Sequence, residues 1–168
     1  VVKEALKHGH WVTGVVRATS DKASLLEQSG SDSRFIIVEA ESKAVLRQCV
    51  SNADCIIHLA MSNVSHQATQ AAIQNCEDVV EASIEKRVKR VVLASSFSVY
   101  DYDRIPIDSV LSEASPTVDI ASARDGYSRA KIAQEAICLR AINQIDVRIL
   151  RIGCVIGPND SWNPRLGV

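Results

Sequence analysis

Apolar positions along this chain alternate between two spacings. Short apolar runs, rich in valine and isoleucine, are separated by longer stretches whose apolar residues recur at helical period. The opening residues, Val1 to Lys7, read as the tail of a helix that stops at Gly9. Strands are predicted at Trp11–Val16, Phe35–Val38, Cys55–Leu59, Val91–Ala94 and Val147–Ile152. Helices are predicted at Asp21–Gln28, Lys43–Val50, Ser65–Lys86 and Tyr127–Asn143, the third with Ala72, Ile73, Cys76, Val79, Val80 and Ile84 close to helical spacing. Val91-Val92-Leu93-Ala94 lacks polar alternation, as expected of a parallel strand covered on both faces. A polar connection with two prolines fills 97–126.

Strand–helix alternation of this kind predicts an α/β fold, a doubly wound parallel sheet of Rossmann-like type. Such a fold opens with a strand, whereas this chain opens inside a helix. The sheet is therefore expected to lack its first strand, the central one, between the strands at Trp11 and Cys55. We expect residues 1–158 to form an N-terminally truncated nucleotide-binding domain, with 159–168 beginning a truncated C-terminal substrate-binding region.

Composition narrows the classes. The 168 residues are 46% hydrophobic and 23% charged, with a net charge of −1. That balance suits one globular domain and supplies no basic footprint for nucleic acid or an anionic membrane. No apolar run approaches the roughly 20 residues a membrane span needs, and a cytoplasmic location is expected. Cys49, Cys55, Cys76, Cys138 and Cys154 form no CxxC pair, and His8, His10, His58 and His66 form no ligand pattern, so no metal site is expected.

Chemistry enters with Tyr127-Ser128-Arg129-Ala130-Lys131. Positions four apart share a helix face, so the phenol and the ammonium can meet. A phenol ordinarily titrates near pH 10, and a fixed neighbouring cation favours its phenolate. The pair is a candidate general acid/base for a hydroxyl or carbonyl, although an incidental surface pair has the same spacing. The strand at Val91 ends in Ser95-Ser96-Phe97-Ser98-Val99-Tyr100, a run of hydroxyls where open α/β sheets bind ligands, and also where strand-end capping uses serine.

With these segments in order, the sequence resembles the extended branch of the short-chain dehydrogenase/reductase superfamily, with its epimerase/dehydratase-like and reductase members. Asp54-Cys55-Ile56-Ile57-His58-Leu59-Ala60 resembles the branch's Asp-x-Val-x-His-Leu-Ala strand, and Gly9-His10-Trp11-Val12 its Gly-His-x-Val approach to the second strand. Leu150-Arg151-Ile152-Gly153-Cys154-Val155-Ile156-Gly157-Pro158 is similar to its Leu-Arg-Pro-x-x-Val-x-Gly-Pro turn, with Ile152 in place of the proline. The resemblance implies Ser96, Tyr127 and Lys131 as catalytic residues. It implies cofactor contacts from Arg17, Glu39, Ala40, Leu59, Ala60, Ser95, Tyr127, Lys131, Ile152 and Val155, and a structural His58.

Arg17 stands where NAD-preferring folds carry a carboxylate on the ribose hydroxyls, so NADP(H) is favoured over NAD(H), although a solvated strand-end arginine would look the same. The implied reaction is hydride transfer at a carbonyl or hydroxyl carbon of a small molecule, nucleotide sugars among the candidates, in a protein that could form a homodimer. Transient oxidation in a nucleotide-sugar epimerase and a non-catalytic NAD(P)-binding sensor or assembly role remain alternatives. Dehydration is disfavoured, because Phe97-Ser98 replace the Asp-Glu pair that dehydratases of the branch carry. Without the glycine-rich pyrophosphate turn, this stretch alone is expected to bind the dinucleotide poorly and to be inactive.

Overall fold

Ser42, Ser65 and Asp125 convert polar residues into helix starts. Each has an extended backbone and a side-chain oxygen that accepts the N–H three residues on: Val45 at 3.4 Å, Ala68 at 3.1 Å and Ser128 at 2.7 Å. The computed structural model describes residues 1–17, 20–30, 32–40, 42–61 and 65–155. The chain runs α1 (Val2–Lys7), β1 (Val12–Val16), α2 (Lys22–Ser29), β2 (Phe35–Glu39), α3 (Lys43–Val50), β3 (Cys55–His58), α4 (His66–Glu85), β4 (Arg90–Ser96), α5 (Gly126–Arg140) and β5 (Asp146–Ile152). Helix α1 closes as expected at Gly9: φ is +83°, the His10 N–H donates to the Ala5 carbonyl at 3.1 Å, and the Gly9 N–H to Leu6 at 3.0 Å.

Two boundaries depart from the pattern-based expectation by more than one residue. Strand β4 continues to Ser96, paired with β5 over its whole length. Helix α5 stops at Arg140 rather than Asn143, because the N–H groups of Gln144 and Ile145 both turn back to the Ala141 carbonyl, at 2.8 and 3.1 Å. That turn delivers Ile145 and Val147 to the core.

The architecture is Rossmann-like α/β with all ladders parallel. The strands form two sheets, one of order β1–β2 and one of order β3–β4–β5. In the larger sheet, Val91, Leu93 and Ser95 point to one face, together with Ile56, His58, Val147 and Ile149, and that face packs on α4 and α5. Val79, Val80, Cys76, Ile137 and Cys138 complete the core from the helices. The other face, bearing Ile57, Val92, Ala94 and Leu150, is only half-covered or exposed. The unbroken apolar run at Val91 therefore reflects one deeply buried face and one partly covered face.

Among the described residues no helix is long and apolar enough to cross a membrane, and no His, Cys, Asp and Glu cluster could hold a metal ion. All five cysteines are unpaired thiols.

Candidate active site

Parallel strands within a sheet end on one edge, so Ser96 at the end of β4 and Ile152 at the end of β5 lie side by side in the register. The chain after Ser96 turns at once into a short 3-10 segment, Phe97–Val99, and the Ser96 hydroxyl accepts the Ser98 N–H at 3.2 Å. Phe97 lies over the end of β5: a Cβ on Gly153 would come within 3.2 Å of its ring. The 3-10 segment also packs against α5.

Helix α5 brings the proton-transfer candidates to this edge. Asp125 caps it, and Gly126 lets it start tight against α4, since a Cβ there would sit 3.0 Å from the Thr69 hydroxyl. Tyr127, in the first turn, is half-buried. One turn on, Lys131 is only 3% exposed, yet its ammonium lies 5.8 Å from the centre of the Tyr127 ring. Its Nζ also donates to the Ala94 carbonyl of β4 at 2.6 Å. Burial holds the Lys131 pKa below the ordinary lysine value, opposed by Cys76 and Glu135 nearby. The sequence-predicted i,i+4 pair is thus brought together, with the ammonium anchored to the strand that ends in Ser96.

His58 sits under the same site. Burial, helped by the Lys131 charge, lowers its pKa from 6.5 to about 4, so it is neutral at physiological pH. Its Nε2 is buried and has no hydrogen-bond partner among the described residues.

The expected cofactor contacts fall into two groups. Arg17, Glu39 and Ala40 follow or end the strands of the smaller sheet, where Val16 pairs with Glu39 and the Ala40 N–H donates to the Val16 carbonyl at 3.1 Å. Arg17 is exposed there, and Glu39 is ion-paired with Lys22. Leu59, Ala60, Ile152 and Val155 are exposed at or beyond the ends of β3 and β5. Ser95 is placed differently: it is buried on the helix-covered face, and its hydroxyl donates to Glu135 at 2.5 Å. Ile156, Gly157 and Pro158 of the predicted turn, and the region 159–168, lie outside the described residues.

Glu135 escapes the motif reading, and Arg151 enters it only as part of the strand-and-turn segment, without a role. Glu135, one turn beyond Lys131 on α5, takes a two-pronged ion pair from Arg151 of β5. The i,i+4 spacing of Lys131 and Glu135 was the available signal, for it puts both on one helix face.

A family model described as the NAD dependent epimerase/dehydratase family matches residues 1–166. Cinnamoyl-CoA reductase 1 of Arabidopsis thaliana is 27% identical over 94% of this chain and 49% of its own length. Cinnamoyl-CoA reductase 1 of Oryza sativa subsp. japonica is 36% identical over 67% of this chain and 35% of its own. The chain spans about half the length, or less, of these curated relatives. Among solved structures, UDP-glucuronic acid 4-epimerase from Bacillus cereus in complex with NAD superposes with a TM-score of 0.75 at 21% identity, covering 98% of this chain and 55% of that one.

Proposed function

Because the chain belongs to the NAD dependent epimerase/dehydratase family, we propose that it carries the proton-transfer site of an NAD(P)-dependent oxidoreductase acting at a carbonyl or hydroxyl carbon. The observation that supports this reading most is the Tyr127–Lys131 geometry: a buried ammonium tethered to Ala94 and held 5.8 Å from the phenol ring centre. The residues also fit a dinucleotide. Exposed Leu59, Ile152 and Val155 offer apolar cover for a planar ring, and Lys131, with one N–H used on Ala94, keeps donors for a ribose.

When bound, the nicotinamide supplies or accepts the hydride. The protein's own groups handle the oxygen. In the reducing direction Tyr127 gives its phenolic proton to the carbonyl oxygen, and the Lys131 cation stabilises the phenolate left behind. The Ser96 hydroxyl, at the end of β4, orients the same oxygen by hydrogen bonding. Ser95 would serve the cofactor through its backbone, since its hydroxyl is committed to Glu135.

NADP(H) is the preferred form on this reading. Arg17 is exposed at the end of β1 where a 2′-phosphate would lie, and Lys22 is already engaged by Glu39. The substrate is a small carbonyl compound, a reading favoured by the cinnamoyl-CoA reductases among the relatives. The five unpaired thiols support a reducing compartment such as the cytoplasm. The family description favours a second reading, epimerisation through transient oxidation.

Assaying NADPH and NADH consumption by the full-length protein with aldehydes, ketones, acyl thioesters and nucleotide sugars separates these readings. Net oxidation of NADPH supports the reductase. Inversion of a sugar centre without net cofactor change supports the epimerase, and tight cofactor binding without turnover of any substrate contradicts both.

A further inference from the structure

Glu135 is 6% exposed and lies among groups that no proton-transfer step uses. Its Oε1 accepts the Ser95 hydroxyl at 2.5 Å and the Arg151 Nε at 3.1 Å, and its Oε2 accepts the Arg151 Nη2 at 2.9 Å. Ser95 and Arg151 are themselves register partners across β4 and β5. The third arm of Arg151, Nη1, donates to the Glu113 carbonyl at 3.2 Å, and its guanidinium carbon stands 4.8 Å from the centre of the Tyr100 ring. Tyr100 in turn bridges to Thr117, where the connection after β4 folds back on itself.

One carboxylate thus joins the helix of Tyr127 and Lys131, the strand ending in Ser96, the strand ending in Ile152, and the 97–118 connection. Lys131 and Glu135, a turn apart, grip successive residues of β4: Lys131 bonds the Ala94 carbonyl and Glu135 the Ser95 hydroxyl. Ser96 is the next residue. Stability alone is a poor account of such an arrangement, because a buried ion pair is commonly matched or bettered by an apolar pair of the same volume. A bidentate guanidinium–carboxylate fork is suited to fixing geometry.

We infer that Glu135 is a positioning residue that sets Ser96 and the 97–118 connection against the helix carrying Tyr127 and Lys131. This role rests on the functional reading above. It is tested with Glu135→Gln, which keeps the shape and loses the charge, and with Arg151→Lys, which keeps the charge and loses the fork. Val79→Ala, in the core away from the site, serves as a stability control.

Glu135→Gln should lower kcat about tenfold, as small misplacements of reacting groups do, while the KM for cofactor stays within about twofold. Amide hydrogen exchange should accelerate across 97–118 in both site variants. Val79→Ala should lower the melting temperature without changing kcat at temperatures where it is folded. If Glu135→Gln does not fold, Arg151→Lys carries the same comparison. A turning-over wild type whose site variants keep their kcat, or show unchanged exchange in 97–118, overturns the positioning role alone. All of these measurements are made on the full-length protein, and a full-length wild type without turnover on any substrate overturns the functional reading and this role with it.

Discussion

The two sheets of this molecule are built from similar sequence and held very differently. In the β3–β4–β5 sheet, Val91 and Leu93 are completely buried, α4 and α5 cover one whole face, and a charged network ties β4 and β5 to α5. In the β1–β2 sheet, Phe35 is the one strand residue buried among those described, while Val15 and Ile36 are exposed. Both sheets present expected cofactor contacts at their strand ends. The larger sheet also carries the groups placed for chemistry, where geometry must be tight. The smaller presents the proposed contacts Arg17 and Glu39, charged groups whose action would tolerate looser placement. Precision and burial go together here because fixed side-chain geometry depends on close packing around it.

The widest gap should appear on truncating one apolar strand residue in each sheet. Leu93→Ala, in a fully buried site, should cost about 2–5 kcal/mol of stability. Ile36→Ala, at 54% exposure, should cost about 0.5 kcal/mol. Urea unfolding of both variants measures this directly, and equal losses would erase the distinction.

The next effect is confined to the larger sheet and depends on pH. The unfolded His58 imidazole keeps its ordinary value of 6.5, while the buried one is held to about 4, so the unfolded chain takes up the proton first. The penalty is negligible above about pH 7.5. It grows as the pH falls towards 4 and reaches about 2 kcal/mol at pH 5. His58→Gln should flatten that part of the stability profile, and a variant with the wild-type slope would show that other groups produce it.

The smallest effect belongs to the smaller sheet. Arg17→Ala should raise the KM for NADPH about tenfold, the loss of one charge-assisted phosphate contact, and leave the KM for NADH nearly unchanged. Equal changes for both cofactors would remove the basis for an NADP(H) preference.

Much of this was readable from residues in a line. The strand that ends in a run of hydroxyls, the helix carrying Tyr127 and the i,i+4 pair follow from local pattern and spacing. The partnership of Glu135 with Arg151 was not readable, because it joins a helix to a strand 16 residues on and exists only once both pack on β4. The inward turn of Ser95 was hidden for a related reason. Adjacent strand residues point to opposite faces, and sequence could not say which of Ser95 and Ser96 would meet the helices. The end of α5 was overestimated because Ile142 continues the apolar pattern, although the chain has already turned at Ala141.

The central claim is that Tyr127, steadied by Lys131, moves the proton. Its most direct test is the steady-state rate of NADPH oxidation by the full-length wild-type protein and its Tyr127→Phe variant on one accepted carbonyl substrate. A loss of about 10²–10⁴-fold in kcat, with an unchanged melting temperature, is the predicted result. A phenylalanine variant that turns over within about twofold of the wild type would contradict the account.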